Sequence, residues 1–230
     1  MTGPGAQGRE PEPDDALGVV VFVIAGGDPP SAAVVERLPS PTAVVAADSG
    51  LDRALGLGLR PSLLVGDLDS VSVEGLRWAR TEGVAIEAHP QDKDATDLEL
   101  ALTLAGRAAD RIVVLGIGGG RADHELANML LLAAPTLAGI WVEAYTAEAR
   151  ITVVRRRVAL TGSPGSLVSL VPVHGAAEGV TTDGLRWPLR SETLAPGTSR
   201  GVSNEFLTAS ASVEVSSGVL LAVQPFAVSP

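Results

Sequence analysis

Acidic side chains recur in short motifs between Asp48 and His124, and their types and spacing suit metal and phosphate chemistry. Four segments carry them: Asp48-Ser49-Gly50, Gly66-Asp67-Leu68-Asp69-Ser70, Lys93-Asp94-Ala95-Thr96-Asp97 and Asp123-His124. A fifth segment among them, Gly118-Gly119-Gly120-Arg121, adds glycines and an arginine. Carboxylates gathered in this way repel one another unless a cation lies between them. Mg²⁺ prefers oxygen ligands, so a magnesium site is the simplest interpretation. Lys93 is the only lysine in the sequence, and its ammonium group beside two aspartates suits a phosphate.

Asp67 and Asp69 follow the apolar run Leu63–Val65, which is typical of a buried strand. Ligands of open parallel sheets bind at the carboxyl ends of strands, so both aspartates could hold one cation there. Asp is also common in turns and at helix caps, and this pair alone fits either interpretation. The segments Gly26-Gly27-Asp28 and Asp48-Ser49-Gly50 close the two preceding strands in a similar way. Helix capping alone does not easily explain why several strands end in Asp or Gly turns at the same edge of the sheet.

The segment Asp94-Ala95-Thr96-Asp97 opens a predicted helix. Its spacing predicts a capping box, with Asp94 as the N-cap and Asp97 as its partner. A helix N-terminus also attracts anions, so this turn and Lys93 could bind a phosphate. Asp97 could in addition complete the metal site that the two preceding aspartates begin.

A glycine-rich turn, Gly116–Gly120, follows the predicted strand Ile112–Leu115 and leads into a helix, so its backbone N–H groups can approach a phosphate. The turn is not a dinucleotide fingerprint, because Arg121 occupies the sixth position, and no Gly-Lys-Ser/Thr follows to make a Walker A loop. Arg121 adds a guanidinium fork for phosphate oxygens, and Asp123 adds a carboxylate. We expect His124 to cap the helix or to support Asp123.

Composition excludes several classes of function. The net charge of −10 and the isoelectric point near 4.7 argue against nucleic acid as a partner. The absence of cysteine excludes disulfides, thiolate zinc sites and a cysteine nucleophile. The longest fully apolar stretch, about Val19 to Ala25, is too short to span a bilayer. The acidic N-terminal segment has the wrong charge for a secretory signal, so we expect a cytoplasmic protein.

Strand and helix patterns alternate from Gly18 to about Thr146. Buried parallel strands are predicted at Val19–Ala25, Ala43–Ala47, Leu63–Val65, Val84–Ala88, Ile112–Leu115 and Ile140–Ala144. Helices are predicted at Ser31–Leu38, Leu51–Leu57, Val73–Glu82, Thr96–Arg107 and Asp123–Ala134. This alternation predicts an α/β domain of three layers, a parallel sheet with helices on both faces, over residues 17–146. Residues 1–16 are rich in Gly, Pro and acids and are predicted to be a disordered tail.

Residues 147–230 have a different character, with short β-rich runs separated by Gly and Pro. They predict a smaller all-β domain of antiparallel strands, a sandwich or partial barrel. Ser203-Asn204-Glu205 offers hydrogen-bonding groups there, which the sequence alone explains as ordinary loop chemistry. The segment Gly197-Thr198-Ser199-Arg200-Gly201 matches a nucleophile elbow, but Pro196 precedes it where a strand should be and no helix pattern follows.

In this order and spacing, the motifs resemble the thiamine pyrophosphokinase family. The resemblance extends over about residues 18 to 225 and rests on Ala47-Asp48-Ser49-Gly50, Leu51-Asp52-Arg53-Ala54, Pro61–Ser70, Lys93–Asp97, Gly119–His124, Thr182–Leu189 and Ser203-Asn204-Glu205. It implies Mg²⁺-dependent transfer of a pyrophosphoryl group from ATP to the hydroxyl group of thiamine, giving thiamine diphosphate and AMP. It also implies a homodimer whose active site is shared between subunits, with neither nucleic acid nor a membrane as partner.

The resemblance further implies roles for individual residues. It assigns Asp67, Asp69 and Asp97 to the metal, and Lys93, Thr96, Arg121 and the Gly118–Gly120 turn to phosphates. Asp48, Asp123, Ser203 and Asn204 would help to form the ligand pockets, and Trp187 would stack on thiamine. Other residues expected at the nucleotide and thiamine sites are Gly26, Gly27, Ser49, Gly50, Ser70, Asp94 and His124. The α/β domain would bind nucleotide and the β-rich domain thiamine.

Two other functions stay open at this point. A pyrophosphokinase of the same fold could act on another alcohol, such as a hydroxymethylpterin. A nucleotide- or thiamine-binding module without turnover is the other possibility, although the full set of carboxylates and Lys93 disfavours it. Within the enzyme reading, either Asp97 or Asp123 could accept the hydroxyl proton. An acidic site also suits thiamine, because its thiazolium ring is permanently cationic.

Overall fold

The computed structural model describes residues 18–226, and the predicted tail, residues 1–16, lies outside this range. Strands and helices alternate over the first part of the chain. The strands are β1 (Val20–Ile24), β2 (Ala43–Ala47), β3 (Leu63–Gly66), β4 (Ala85–Ala88), β5 (Arg111–Leu115) and β6 (Trp141–Tyr145). The helices are α1 (Ala32–Val35), α2 (Gly50–Gly56), α3 (Val73–Thr81), α4 (Asp97–Ala105) and α5 (Ala122–Leu131), followed by a 3₁₀ turn at Pro135–Leu137.

Strands β1 to β6 are parallel to their neighbours and lie in the order β4-β3-β2-β1-β5-β6. The central strand β1 is buried along its whole length, as expected for an apolar strand with helices on both faces. On one face, Val21 and Val23 share a core with residues of α4. On the other face, Phe22 and Ile24 share a core with Ala54 of α2. The first part of the chain therefore has the three predicted layers.

Two predicted elements differ from the observed ones. The prediction of a buried strand at Val84–Ala88 is wrong, because β4 lies at the edge of the sheet and all its residues are exposed. The helix predicted at Ser31–Leu38 is reduced to the single turn of α1, and turn residues follow it. Pro39 accounts for part of this difference, since a proline disfavours helical conformation in the residue before it.

Antiparallel strands form the second part of the chain. They are β7 (Ala149–Val154), β8 (Arg157–Thr161), β9 (Leu167–Asp183), β10 (Glu192–Leu194), β11 (Asn204–Glu205), β12 (Ser210–Glu214) and β13 (Ser217–Pro225). They continue the sheet in the order β7-β13-β9-β12-β8, with β10 and β11 also paired to β9. A separate hydrophobic core that includes Leu170, Phe206 and Leu220 lies mostly within this part, with Trp141 of β6 at its border. A parallel α/β part is thus followed by a β-rich part, as the sequence predicts.

The predicted boundary between residues 146 and 147 falls between β6 and β7. Pairing changes there from parallel to antiparallel, while the sheet itself continues through the contact of β6 with β7. The division into two domains stays a prediction. Among residues 18–226, no helix is long and apolar enough to cross a membrane.

Candidate active site

The carboxyl ends of β1, β2, β3 and β5 open onto one cavity of about 640 Å³, a volume typical of small-molecule sites. Most of the predicted site residues line it, namely Gly26, Gly27, Asp48, Ser49, Asp67, Asp69, Ser70, Lys93, Thr96, Asp97, Gly119, Arg121 and His124. The predicted residues of this part of the chain that do not line it are Gly50, Asp94, Gly118, Gly120 and Asp123. The acidic motifs therefore converge in space, as their positions after parallel strands predict.

Three aspartates meet at the centre of this cavity. One carboxylate oxygen each from Asp48, Asp67 and Asp97 lies within 4.8 Å of the other two, close enough for all three to contact one cation. Asp48 has a φ of 47°, a left-handed conformation that is uncommon for residues other than glycine. Such backbone strain is often retained where a side chain has a functional position.

Asp48 is the carboxylate of this group that its surroundings satisfy least. Among the described residues, Asp48 Oδ1 and Asp97 Oδ1 are both buried without a hydrogen-bond partner, but Asp97 Oδ1 has an ion pair with Lys93. Burial raises the pKa of Asp48, a hydrogen bond from the Ser49 backbone opposes this, and repulsion from Asp97, Asp67 and Asp69 raises the pKa further. A buried oxygen without a partner, among like charges, is what a divalent cation would stabilise. The residues present therefore fit Mg²⁺.

Lys93 lies between two of these carboxylates. Its Nζ donates a hydrogen bond to Asp67 Oδ2 at 3.2 Å and lies 3.1 Å from Asp97 Oδ1. Desolvation alone would lower the pKa of Lys93, but its interactions with Asp97 and Asp67 raise it. The pKa of Asp67 is lowered, first by a hydrogen bond from the Asp69 backbone N–H and then by Lys93. The site thus pairs a charged ammonium group with the ionised carboxylate of Asp67 at neutral pH.

Asp69 lies beside the three-aspartate group rather than within it. Its carboxylate accepts hydrogen bonds from Ser70 Oγ at 2.9 Å and from Gln91 Nε2 at 2.7 Å. The geometry favours Asp48 as the third member of the group. The metal role of Asp69 stays a prediction.

The start of α4 differs from the predicted capping box. The helix begins at Asp97, and the N-cap is Thr96, whose hydroxyl accepts a hydrogen bond from Glu99 N at 3.2 Å. The prediction that Asp94 is the N-cap is wrong, because the last residue with extended backbone before the helix is Thr96, with ψ of 159°. Asp94 is exposed and lies before this cap.

The glycine turn after β5 is fixed against the end of β1. Gly27 N donates to Gly116 O at 2.9 Å, and Asp28 N donates to Gly118 O at 2.7 Å. A Cβ atom at Gly27 would lie 2.2 Å from Gly118 O, so the close approach of these two segments requires glycine at position 27. Gly119 lies on the cavity wall in a left-handed conformation, with φ of 79°.

Arg121 and Asp123 form an exposed ion pair at the start of α5. Arg121 Nε and Nη2 donate to the two oxygens of Asp123 at 3.1 and 2.6 Å. These hydrogen bonds lower the pKa of Asp123 to about 2 and raise that of Arg121. The side chain of Arg121 is thus the main support of Asp123, and the His124 backbone adds a smaller contribution.

Trp187, Ser203 and Asn204 line a second cavity of about 530 Å³, in the β-rich part of the chain. Asn204, the first residue of β11, binds the segment that carries Trp187, because its Oδ1 accepts from Trp187 N at 3.0 Å and its Nδ2 donates to Trp187 O at 2.8 Å. The Arg186 guanidinium lies 5.1 Å from the centroid of the Trp187 ring, a cation–π contact. Asn204 therefore has a structural role at this cavity, beyond ordinary loop chemistry.

The sequence interpretation missed three polar residues that line the first cavity: Gln91, Glu125 and Asn128. Glu125 follows Arg121 by four residues, and Asn128 follows His124 by four, which places each pair on one face of α5. That spacing is a signal that could have identified them. Asn128 Nδ2 also donates to Ile117 O at 3.1 Å, so it ties α5 to the glycine turn.

Comparison with known protein families matches both parts of the chain. Residues 36–142 match the model described as "Thiamin pyrophosphokinase, catalytic domain". Residues 151–220 match the model described as "Thiamin pyrophosphokinase, vitamin B1 binding domain". The chain belongs to the thiamin pyrophosphokinase family. The predicted family is therefore confirmed. The three-aspartate group and Lys93 lie within the part that matches the catalytic model, whereas Gly26 and Gly27 precede it.

Individual relatives agree with this assignment. Thiamine pyrophosphokinase of Bacillus subtilis (strain 168) is 26% identical over 191 residues, which cover 78% of this chain and 86% of that protein. Thiamine pyrophosphokinase 1 of Oryza sativa subsp. japonica is 27% identical over 157 residues, covering 63% of this chain but only 59% of the rice protein. The crystal structure of thiamine pyrophosphokinase from Bacillus subtilis has a TM-score of 0.79 at 23% identity, covering 91% of this chain and 100% of that one. This similarity confirms the predicted fold class.

Proposed function

We propose that this protein transfers the pyrophosphoryl group of ATP to the hydroxyl group of thiamine, giving thiamine diphosphate and AMP. The observation that carries the proposal is the convergence of Asp48, Asp67 and Asp97 around Lys93 at the carboxyl edge of the parallel sheet. The family models and the curated relatives support this reaction, and they do not favour a different acceptor alcohol.

Asp48, Asp67 and Asp97 would hold Mg²⁺, and Asp69 is the further predicted ligand beside them. When bound, the ion would supply positive charge that offsets the negative charge of the phosphate oxygens. Lys93 would contribute a second positive charge, because its Nζ is within 3.2 Å of both Asp67 and Asp97. Arg121 lines the same cavity and would orient a phosphate with its guanidinium fork.

The hydroxyl oxygen of thiamine attacks the β-phosphorus of ATP, the bond to the α-phosphate oxygen breaks, and AMP leaves. The hydroxyl proton needs an acceptor within hydrogen-bond reach of the reacting oxygen. Asp123 is exposed, bound to Arg121 and of low pKa, so it is a weak base placed outside the cavity. Asp97 lines the cavity, and we therefore favour it as the proton acceptor.

Thiamine would bind in the second cavity, where Trp187 offers an indole ring for stacking and Ser203 and Asn204 offer polar groups. These residues do not line the first cavity of the same chain. Direct transfer requires the two substrates to be adjacent. A homodimer in which the first cavity of one subunit faces the second cavity of its partner would meet this requirement. Because the reaction consumes ATP, we place the enzyme in the cytoplasm.

Incubation with ATP, Mg²⁺ and thiamine, followed by chromatographic detection of products, tests the proposal. We expect AMP and thiamine diphosphate in equal amounts, and no products when a chelator removes Mg²⁺. Formation of ADP and thiamine monophosphate would contradict the pyrophosphoryl transfer. Replacing thiamine with a hydroxymethylpterin tests the alternative acceptor, and faster turnover of the pterin would refute thiamine as the substrate. Calorimetric binding of ATP and thiamine without AMP formation would instead indicate a binding module.

A further inference from the structure

Helix α2 lies between two loops of the active site and directly follows a third. The strand order β3-β2-β1 places α2, which follows β2, between the loop after β1 and the loop after β3. The helix packs on β1 and β2 and also contacts α3. The helix carries two adjacent charged residues, Asp52 in its first turn and Arg53 in its last, to which the proposed reaction assigns no role.

Asp52 binds the end of the loop that follows β3. Its Oδ2 accepts a hydrogen bond from Ser72 N at 2.8 Å, and its Oδ1 accepts one from Ser72 Oγ at 2.5 Å. Ser72 is in turn the N-cap of α3, because its Oγ accepts a hydrogen bond from Gly75 N at 2.9 Å. The loop that carries Asp67 is therefore held by β3 at one end and by Asp52 at the other.

The local sequence leaves space for this contact. A Cβ atom at Gly75 would lie 2.5 Å from Asp52 Oδ1 and 3.1 Å from Ser72 Oγ. A glycine in the first turn of a helix normally costs stability relative to alanine. At this position, glycine allows the Asp52 carboxylate to reach the capping hydroxyl.

Arg53 binds the loop on the opposite side of α2. Its Nε donates a hydrogen bond to Gly26 O at 3.1 Å, and its Nη2 lies 4.0 Å from Asp28 Oδ1. Gly26 and Gly27 form part of the cavity wall, whereas neither Asp52 nor Arg53 lines the cavity. Adjacent helical residues point about 100° apart around the axis, so the two side chains reach different neighbours.

We propose that Asp52 and Arg53 are positioning residues of the active site. Asp52 fixes, through Ser72, the loop that carries Asp67, and Arg53 fixes the Gly26-Gly27 segment after β1. Because α2 also begins two residues after Asp48, one short helix sets the relative positions of three strand ends. The kinetic test of this inference rests on the proposed function, whereas the hydrogen-exchange test of how well the loop is ordered does not.

The Asp52 contact is tested with Asp52→Asn, Ser72→Ala and the double variant. We expect each single change to lower kcat about 10-fold to 100-fold, with the KM for thiamine within about twofold of the original, because misplacement of a catalytic loop acts on the chemical step. The double variant should be no worse than the poorer single variant, since both changes break one link. Ser72→Thr, which keeps the hydroxyl group, should restore activity. Glu74→Gln, at an exposed carboxylate in the same turn of α3, is the matched control.

Hydrogen exchange of residues 66–72, followed by mass spectrometry, provides the second readout. Exchange should be faster in Asp52→Asn and unchanged in Glu74→Gln, with both proteins folded by circular dichroism. Unchanged kcat in Asp52→Asn would overturn the positioning role, whether or not exchange changes. If the unsubstituted protein forms no AMP, the proposed function fails, and unchanged exchange in Asp52→Asn would then overturn the inference separately.

The contact made by Arg53 is tested in a separate experiment. Arg53→Met removes the hydrogen bond to Gly26 O. We expect the KM for ATP to rise about fivefold while the KM for thiamine is unchanged. Arg77→Met, at an exposed position of α3, is the control. Equal ATP kinetics in the two variants would remove Arg53 from the proposal.

Discussion

The two glycines of α2 should respond in opposite directions to the same substitution. A Cβ atom at Gly50 would lie 1.9 Å from Ile24 O and 2.7 Å from its carbonyl carbon, which are backbone atoms of β1. A Cβ atom at Gly56, at the other end of the helix, has no neighbour within 4 Å. Both positions are helical, so propensity alone predicts that alanine stabilises each of them.

The expected magnitudes follow from these contacts. Gly56→Ala should stabilise the protein by about 0.5–1 kcal/mol, because it lowers the entropy of the unfolded chain without a clash. Gly50→Ala also lowers the entropy of the unfolded chain, but it must displace α2 from β1. Overpacking of this kind costs about 1–3 kcal/mol. The net change at Gly50 is therefore a destabilisation of up to about 2.5 kcal/mol, with a midpoint of about 1 kcal/mol. For a chain of this size, 1 kcal/mol corresponds to about 2–4 °C in Tm.

Thermal denaturation monitored by circular dichroism measures both variants, and the rate of AMP formation is measured below the transition. Gly50→Ala should also lower kcat, because displacement of α2 moves Asp48, whereas Gly56→Ala should keep full activity. A Gly50→Ala protein that is as stable and as active as Gly56→Ala would refute the claim that the tight contact of α2 with β1 fixes the site.

Two further predictions concern charged groups. Arg121 holds the pKa of Asp123 at about 2. The contribution of this ion pair to folding stability is therefore complete above the ordinary Asp pKa and is lost as pH falls towards 2. In Arg121→Ala, the pKa of Asp123, followed by its carboxyl resonance, should rise from about 2 towards the ordinary value of 3.8, and a midpoint still near 2 would contradict the pairing. Glu143 is fully buried between two arginines and a tyrosine, so Glu143→Gln should cost about 3 kcal/mol in urea denaturation. Glu82→Gln, which breaks an exposed ion pair, should cost less than about 1 kcal/mol, and equal losses would contradict the difference in burial.

The parallel core of the fold could be predicted closely from the sequence. Ala43–Ala47 is a strand over the predicted residues, because a run buried on both faces has few alternatives. The exposure of β4 could not be predicted in this way, since it depends on which strand ends the sheet. The extent of β9 is also larger than its sequence indicates. Glycines at 175 and 179 interrupt the apolar pattern of one continuous strand.

The site was predictable as a region but not as a set of contacts. Sequence order places Asp48, Asp67 and Asp97 at one edge of the sheet, yet their mutual distances depend on strand register and on the left-handed backbone at Asp48. The N-cap of α4 depends on where the helix begins, and Thr96 and Asp94 both fit the local pattern. The sequence places Arg121 two residues before Asp123, but this spacing alone does not predict that the two side chains form an ion pair.

The central claim is that the converging aspartates bind one divalent cation together with the nucleotide. Electron paramagnetic resonance of Mn²⁺, titrated into the protein with a non-hydrolysable ATP analogue, tests this claim directly. We predict that Asp67→Asn and Asp97→Asn each weaken Mn²⁺ binding about 10-fold or more, while Glu99→Gln, at an exposed carboxylate in the first turn of α4, binds as the unsubstituted protein does. Equal Mn²⁺ affinity in all of these proteins would contradict the claim.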